Sequence, residues 1–403
     1  MTTGHNGLKS IQDADVSGKR VLLRADLNVP LAAGTVSDAT RIERLLPTLR
    51  GLAERGARLV VISHLGRPKG KPKPEFSLAP VAAALGDMLN PIPVAFAKDS
   101  IGPAAESAVA SLQDGQAVLL ENLRFHPGEE QNDPEFARAL AKLGDLYVDD
   151  AFSCSHRAHA STEAITHLLP AYAGPQLMAE IDALSTVLED PKRPVAAVVG
   201  GAKIGTKIAV LNNLIEKVDL LIIGGGMANT FLYAQGIDVA NSLNEPELAE
   251  TAREILVKAD SKACEIVLPS DVVAAEAFEP NAPNQVCDVS EVPAGTMILD
   301  VGPRTLEDLV GRLAVCKTLL WNGPLGAFEL TPFGEGTFAL AREAARLTRT
   351  GELVTVAGGG DTVAALNAAG VTDDFTYVST AGGAFLEWLE GRELPGIAAL
   401  ASS

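Results

Sequence analysis

Leu353-Val-Thr-Val-Ala-Gly-Gly-Gly-Asp-Thr362, running on into Val363-Ala-Ala-Leu366, sets the reading of the whole chain. A β-branched apolar run enters three glycines and an Ala-rich apolar segment leaves them, which predicts strand, tight loop and helix. Glycine lets a ligand approach the backbone closely, and the first turn of the following helix offers unpaired N–H groups at its positive dipole end. A carboxylate at Asp361 would repel phosphate there, unless a bridging Mg²⁺ turned the repulsion into a contact. The competing reading is a glycine-rich turn in which Asp361 or Thr362 caps the helix.

A chain of 403 residues is long for a single core and predicts about two or three domains. Its 47% hydrophobic content with only 4% aromatics describes an Ala/Val/Leu-rich soluble α/β protein. No apolar run approaches the ~20 residues needed to span a bilayer, so no membrane association is expected. The N-terminal Met1-Thr-Thr-Gly-His-Asn-Gly7 carries no cationic apolar leader. Cys154, Cys264, Cys287 and Cys316 are scattered without a Cys-x-x-Cys pair, which suits a reducing cytoplasm better than a disulfide framework or a zinc site. The formal net charge of −18 argues against nucleic acid as the main partner. Residues 1–175 hold 18 Lys/Arg against 20 Asp/Glu and all six histidines, whereas the remainder holds 15 against 31. Such asymmetry points to two domains with different duties.

The first part repeats one pattern. Val21-Leu-Leu ends in Arg24-Ala-Asp26-Leu-Asn28, and Leu59-Val-Val-Ile-Ser ends in His64-Leu-Gly-Arg67. Ala117-Val-Leu-Leu-Glu-Asn ends in Leu123-Arg124, and Leu146-Tyr-Val-Asp-Asp precedes His156-Arg157. Helix-like segments at 39–55, 77–89 and 134–142 separate the runs. Short continuous apolar strands alternating with helices predict a parallel sheet covered on both faces, whose ligands gather at the strands' carboxyl ends. Arg24, His64 with Arg67, Arg124 and Arg157 stand at or just after those ends, and Arg41 opens a helix. Guanidinium groups converging on one crevice need an anion between them, and their planar forks match phosphate and carboxylate oxygens. A small, multiply anionic substrate is the economical reading.

Residues 175–190 have helical apolar spacing that Pro191 and Pro194 stop, which predicts a stiff connecting helix between domains and movement by hinging. The second part resumes the strand–loop–helix rhythm. Pro194-Val-Ala-Ala-Val-Val runs into Gly200-Gly-Ala-Lys203-Ile-Gly-Thr-Lys207, and Asp219-Leu-Leu-Ile-Ile into Gly224-Gly-Gly-Met-Ala-Asn229. Glu265-Ile-Val-Leu, Met297-Ile-Leu-Asp-Val-Gly302, Thr318-Leu-Leu-Trp-Asn322, the opening stretch and Tyr377-Val-Ser complete what reads as a second parallel sheet suited to a nucleotide. Gly200 to Lys207 has P-loop glycine spacing but lacks Gly-Lys followed by Ser or Thr, and Gly224 to Asn229 lacks the third glycine of a dinucleotide fingerprint. Lys203 and Lys207, four apart, would share one face of a starting helix.

These motifs, in this order, resemble the phosphoglycerate kinase family over nearly the whole chain, from Arg24-Ala-Asp-Leu-Asn-Val-Pro30 to Leu389-Glu-Gly391. The match takes in His64-Leu-Gly-Arg-Pro68, Glu121-Asn-Leu-Arg-Phe125, His156-Arg-Ala-His-Ala-Ser161, Gly200-Gly-Ala-Lys203, Gly224-Gly-Gly-Met-Ala-Asn229, Trp321-Asn-Gly-Pro-Leu-Gly-Ala-Phe-Glu329 and Gly358-Gly-Gly-Asp-Thr362. The resemblance implies two doubly wound, Rossmann-like domains. They are a phosphoglycerate-binding domain at 1–174 and an Mg-nucleotide domain at 191–389, with a hinge helix at 175–190 and a segment at 390–403 returning to the first domain. It implies reversible, in-line phosphoryl transfer from 1,3-bisphosphoglycerate to ADP, giving 3-phosphoglycerate and ATP, by a cytoplasmic monomer of glycolysis and gluconeogenesis.

Carried across residue by residue, Asp26, Leu27, Asn28, Arg41, His64, Leu65, Gly66, Arg67, Arg124 and Arg157 would hold the substrate, joined by Arg24 from its strand end. Lys203, Lys207, Gly225, Gly226, Gly302, Asn322, Pro324, Glu329, Gly359, Gly360, Asp361 and Thr362 would bind the nucleotide, with Glu329 on the ribose hydroxyls and Asp361 on Mg²⁺. Arg41, Lys203, Gly359 and Gly360 would meet the transferring group on hinge closure. Departures from the family text are Ile204-Gly-Thr206, Phe152-Ser-Cys-Ser155, Ala381 and Phe385, none at a residue with a chemical role. Two rivals remain: a dinucleotide-dependent oxidoreductase, disfavoured by the missing glycine, and a catalytically silent scaffold, disfavoured by the intact set Arg41, Lys203, Lys207 and Asp361.

Overall fold

Apolar runs bounded by loops become the strands of two parallel sheets in the computed structural model, which describes residues 7–402. Met1–Asn6, most of the stretch expected to lack a leader, and Ser403 lie outside the described residues. The chain divides into two compact units. One comprises the described residues through Asp182 together with those from Glu393 on, and the other is Ala183–Arg392.

The first unit holds β1 (Arg20–Arg24), β2 (Arg58–Ile62), β3 (Val94–Ala97), β4 (Ala117–Leu120), β5 (Leu146–Asp149) and β6 (Ala171–Ala173). Their order is β3-β4-β2-β1-β5-β6, with every pairing parallel. Central strands are apolar at consecutive positions because helices cover both faces; Leu22, Leu23, Val60, Val61 and Leu119 are fully buried. Helix α1 (Thr40–Glu54) presents Leu45, Leu49 and Leu52 at helical spacing to a core that includes Val21, Leu23, Leu59 and Val61. Val94–Ala97 and Ala171–Ala173 went unread in the sequence as strands, being short and placed at or toward the edges.

Helix α2 (Pro175–Leu188) starts on Asp150, whose Oδ1 accepts the N–H groups of Gln176 at 2.6 Å and Leu177 at 3.2 Å. Thr48 donates its hydroxyl to Asp150 Oδ2 at 2.7 Å, so the carboxylate that follows β5 ties α1 to the start of α2. The boundary between the two units falls inside α2, after Asp182.

In the second unit β7 (Val195–Gly200), β8 (Leu220–Gly224) and β9 (Glu265–Val267) join β13 (Thr318–Asn322), β14 (Val354–Gly358) and β15 (Tyr377–Ser379). The order is β9-β8-β7-β13-β14-β15, again wholly parallel. Between β9 and β13 in sequence lie β10 (Asp271–Ala275), β11 (Asn284–Asp288) and β12 (Met297–Val301), which form a separate antiparallel sheet. Met297–Val301 is therefore not a strand of the parallel sheet, as its sequence suggested. Its apolar run pairs antiparallel with β10, and the residues between them hold β11 and a 3₁₀ turn, not the helix a parallel crossover uses.

Candidate active site

At the carboxyl ends of β1, β2 and β4 a set of loops is stitched together by named side chains. Arg41, in the first turn of α1, donates to Asp26 Oδ1 at 2.8 Å and to the Asn28 carbonyl at 3.1 Å. Ser153 donates to Asp26 Oδ2 at 2.5 Å. Asn28 Oδ1 accepts the Gly66 N–H at 2.9 Å, and Arg124 donates to the Gly66 carbonyl at 2.9 Å. Ser63 accepts the Leu27 N–H at 2.9 Å, and the buried Asn122 amide donates to the Leu65 carbonyl at 2.7 Å. The loops carrying Asp26–Asn28, His64–Arg67 and Arg124 thus share one hydrogen-bonded frame. Arg67 and Arg157 are exposed, and His156 Nε2 accepts from Arg157 Nε at 3.1 Å. Ser63, Asn122 and Ser153 were missed by sequence reasoning, since single polar residues in loops carry no signal of what they join.

Arg24 departs from its expected role. Only 1% exposed, it donates from Nε to Ser161 Oγ at 2.9 Å, from Nη1 to the Ala25 carbonyl at 2.6 Å, and contacts His64 Nδ1 through Nη2 at 3.1 Å. Its charge is balanced by the fully buried Glu129, so it supports the site from beneath rather than facing a ligand. Burial, reinforced by Arg24, Arg124 and Arg41, holds His64 well below the ordinary imidazole range, and it is a neutral ring at physiological pH. Burial, with Arg124, Arg24 and Arg157, brings His159 down to about 3.

Asp26, His64 and Cys154 bring ligand atoms within 4.8 Å of one another. Three commitments make this a poor cation site. Arg41 and Ser153 occupy Asp26, Arg24 occupies His64 Nδ1, and burial pushes the Cys154 thiol up to about 11. The guanidinium surroundings favour an anion.

In the second unit two parallel strands end in glycine-capped helices. Helix α3 (Gly226–Ala234) follows Gly225 at φ 70°, and α4 (Gly360–Ala369) follows Gly359 at φ 100°. Neither has a side-chain cap, so neither Asp361 nor Thr362 takes the capping role that competed with anion binding. A Cβ on Gly359 would lie 2.7 Å from Asn322 Nδ2, so the loop passes the Asn322 side chain with no room for one. Asn322 is buried; its amide donates to the Gly358 carbonyl at 2.7 Å and its oxygen accepts the Lys207 ammonium. Thr362 Oγ1 is buried and accepts the Gly323 N–H at 2.7 Å, which ties α4 to the Asn322–Pro324 loop instead of leaving the hydroxyl open. Phe385 packs against Gly358 where a Cβ would meet its ring at 2.7 Å.

Lys203 and Lys207 do not share the face of an α-helix. They flank a 3₁₀ turn at Ile204–Thr206, and Lys207 is the residue from which the next helix starts. Lys203 is exposed, while burial lowers the Lys207 pKa against the opposing pull of Asp361 and Glu390.

A cavity of about 560 Å³ opens beside these loops, lined by Gly225, Gly226, Pro324, Glu329 and Asp361 among the expected residues. Its apolar walls come from Leu243, Phe278, Met297, Leu299 and Leu325, most of which sequence reasoning did not single out. The exposed Phe278 and the strand Met297–Val301 were the available signals. Gly302 is not among the lining residues; it caps the following helix and its N–H bonds to the Asp271 carbonyl at 2.8 Å. An apolar slot also lined by glycine loops and by the carboxylates of Glu329 and Asp361 suits a flat, phosphate-bearing ligand.

The family profile described as phosphoglycerate kinase matches residues 11–392. A phosphoglycerate kinase of Methylorubrum extorquens is 60% identical over 393 residues, covering 97% of this chain and 98% of that protein. One from Rhizobium meliloti is 58% identical over 390 residues, covering 96% and 98% respectively. The solved structure of phosphoglycerate kinase from Coxiella burnetii superposes with a TM-score of 0.91 at 43% identity, covering 98% of this chain and 99% of its own. With fold, loop chemistry and likeness in agreement, the chain belongs to the phosphoglycerate kinase family, and is an enzyme of reversible phosphoryl transfer between 1,3-bisphosphoglycerate and ADP.

Proposed function

We propose that the first unit holds the phosphoglycerate and the second holds the Mg-nucleotide, each at the carboxyl ends of its own parallel sheet. The observation that carries this reading is the shared frame of Asp26–Asn28, Arg41, His64–Arg67 and Arg124, which is cationic and built to receive oxygens. Arg41, Arg67, Arg124 and Arg157 pair with phosphate and carboxylate, and His64 donates from its remaining ring nitrogen. Asp26 and Asn28 orient Arg41 and the Gly66 loop.

In the second unit the apolar cavity takes the base, Glu329 takes the ribose hydroxyls, and the N–H groups of Gly359 and Gly360 face the phosphates. Asp361 fits a Mg²⁺ site, being a carboxylate on the cavity wall in the first turn of an uncapped helix. Asp361 would hold the ion, which would supply positive charge to offset that of the nucleotide phosphates. Lys203 and Lys207 supply cations to the phosphates, with Asn322 aiming Lys207.

Phosphoryl transfer asks for positioning and charge stabilisation, because developing charge is spread over equatorial oxygens. The carboxylate of the acyl phosphate is a good leaving group, so no strong general acid is needed. Because donor and acceptor are held by different units, transfer follows their closure, which also excludes water from the acyl phosphate. The four free thiols fit a reducing, cytoplasmic setting, and a monomer suffices for this chemistry. Arg41→Ala is expected to lower turnover by about 100-fold or more while leaving the KM for Mg-ATP nearly unchanged. Turnover within a few-fold of wild type in the coupled assay with 3-phosphoglycerate would contradict the assignment.

A further inference from the structure

Beneath the phosphoglycerate loops lies a chain of four buried polar side chains, none of which needs to touch substrate except the last. Glu129 is 0% exposed and its two oxygens accept from a single residue: Ser161 N–H at 3.0 Å and Ser161 Oγ at 2.6 Å. Ser161 Oγ in turn accepts from Arg24 Nε at 2.9 Å. Arg24 Nη2 then reaches His64 Nδ1 at 3.1 Å. Tyr147 fixes the Ser161 backbone by donating its hydroxyl to the Ser161 carbonyl at 2.7 Å.

The direction of each bond follows from chemistry. A guanidinium has only donors, so His64 Nδ1 must be the acceptor, and the ring proton of neutral His64 must sit on Nε2. A hydroxyl that accepts from Arg24 sends its own proton the other way, to Glu129 Oε1. The carboxylate therefore anchors the serine, the serine turns the guanidinium, and the guanidinium sets the tautomer. A carboxylate oxygen of Asp26 lies within 4.8 Å of a His64 ring nitrogen and favours the cation, but that carboxylate is held by Arg41 and Ser153. Burial, with Arg24 beneath the ring and Arg124, Arg41 and His159 around it, opposes the charge.

We propose that Glu129, Ser161 and Arg24 form a positioning relay that locks His64 as the Nε2–H tautomer, so that it always presents a donor, never an acceptor, to an anionic substrate. The role of His64 toward phosphoglycerate rests on the function proposed above; the relay itself does not. Neutrality has a purpose here, since a ring that neither titrates nor flips gives a pH-independent donor among groups already cationic.

Two-dimensional ¹H–¹⁵N long-range spectra of the ¹⁵N-histidine-labelled enzyme without ligand test the relay, with the His64 signal assigned by its loss in His64→Gln. The expected wild-type result is an unprotonated Nδ1 and protonated Nε2 that do not titrate between pH 6 and 8. A protonated Nδ1, or a titrating ring, overturns the proposal without any variant. In Ser161→Ala the two nitrogen shifts are expected to move toward a tautomer average. The KM for 3-phosphoglycerate is expected to rise about tenfold with that for Mg-ATP unchanged. Ser161→Cys, isosteric with a weaker hydrogen-bonding group, is expected to lie between. Wild-type shifts and KM in both variants overturn the relay. A wild-type KM for 3-phosphoglycerate in His64→Gln would instead overturn the assignment of His64 to substrate, and the two failures are thereby told apart.

Discussion

Burial of Asp149 at the end of β5 holds its carboxyl up at about 7, against the pull of the Ala151 N–H on Oδ1 and the charge of Arg24. Its other oxygen is buried with no hydrogen-bond partner among the described residues, and Asp150 beside it opposes ionisation further. The sign is set by linkage. The folded state binds this proton more tightly than the unfolded chain does, so the group favours folding least once both states are ionised. Its cost grows as pH rises from about 4 to about 7 and is constant above. Asp149→Asn keeps an acceptor for Ala151 and removes the charge. Relative to wild type, the variant is expected to gain roughly 2–3 kcal/mol in urea unfolding between pH 5 and pH 8. A wild-type-minus-variant difference that does not change with pH would contradict this. Arg24 shows what a residue-level reading of sequence leaves out. An arginine at a strand end was read as facing the crevice, because its counter-ion, Glu129, lies more than a hundred positions away and nothing in local spacing joins them. Arg67 and Arg157, placed after strands in the sequence, are exposed, and Arg41, at the start of a helix, pairs with Asp26 fifteen positions before it.

At the scale of elements, the glycine loop into α4 was readable because each local preference agrees: β-branched residues in β14, no side chain where the backbone must turn, and an Ala-rich helix beyond. Gly359→Ala forces a φ of 100° on a residue with a Cβ and pushes that carbon toward Asn322. The expected cost is about 1–3 kcal/mol in thermal unfolding, with a raised KM for Mg-ATP because Asn322 no longer aims Lys207. An unshifted melting temperature together with wild-type kinetics would show that the loop tolerates the side chain. Two element readings failed for physical reasons. Lys203 and Lys207 lie across a 3₁₀ turn, whose i and i+4 positions do not share a face as they do in an α-helix. Met297–Val301 is an apolar run like its neighbours, and an apolar run records burial but not which sheet it joins. That strand matters because its residues wall the cavity proposed to take the nucleotide's base.

Across the whole molecule, the parallel architecture was legible from alternating apolar runs and helical segments, and the uneven charge marked two kinds of surface. The net of −16 after residue 175 fits the unit proposed for the Mg-nucleotide, and the histidine- and arginine-bearing first part the unit proposed for the bare anionic substrate. What could not be read was the support beneath the sites, from Asn122 to Glu129, since those contacts join residues distant in sequence. The central claim is a division of labour between the units, and it is tested most directly by varying each substrate in turn in a coupled steady-state assay of Arg124→Ala and Asp361→Ala. Arg124→Ala is expected to raise the KM for 3-phosphoglycerate on the order of tenfold or more while leaving that for Mg-ATP within about twofold. Asp361→Ala is expected to do the reverse. Either variant shifting both constants alike, or each shifting the other's substrate, would contradict the account.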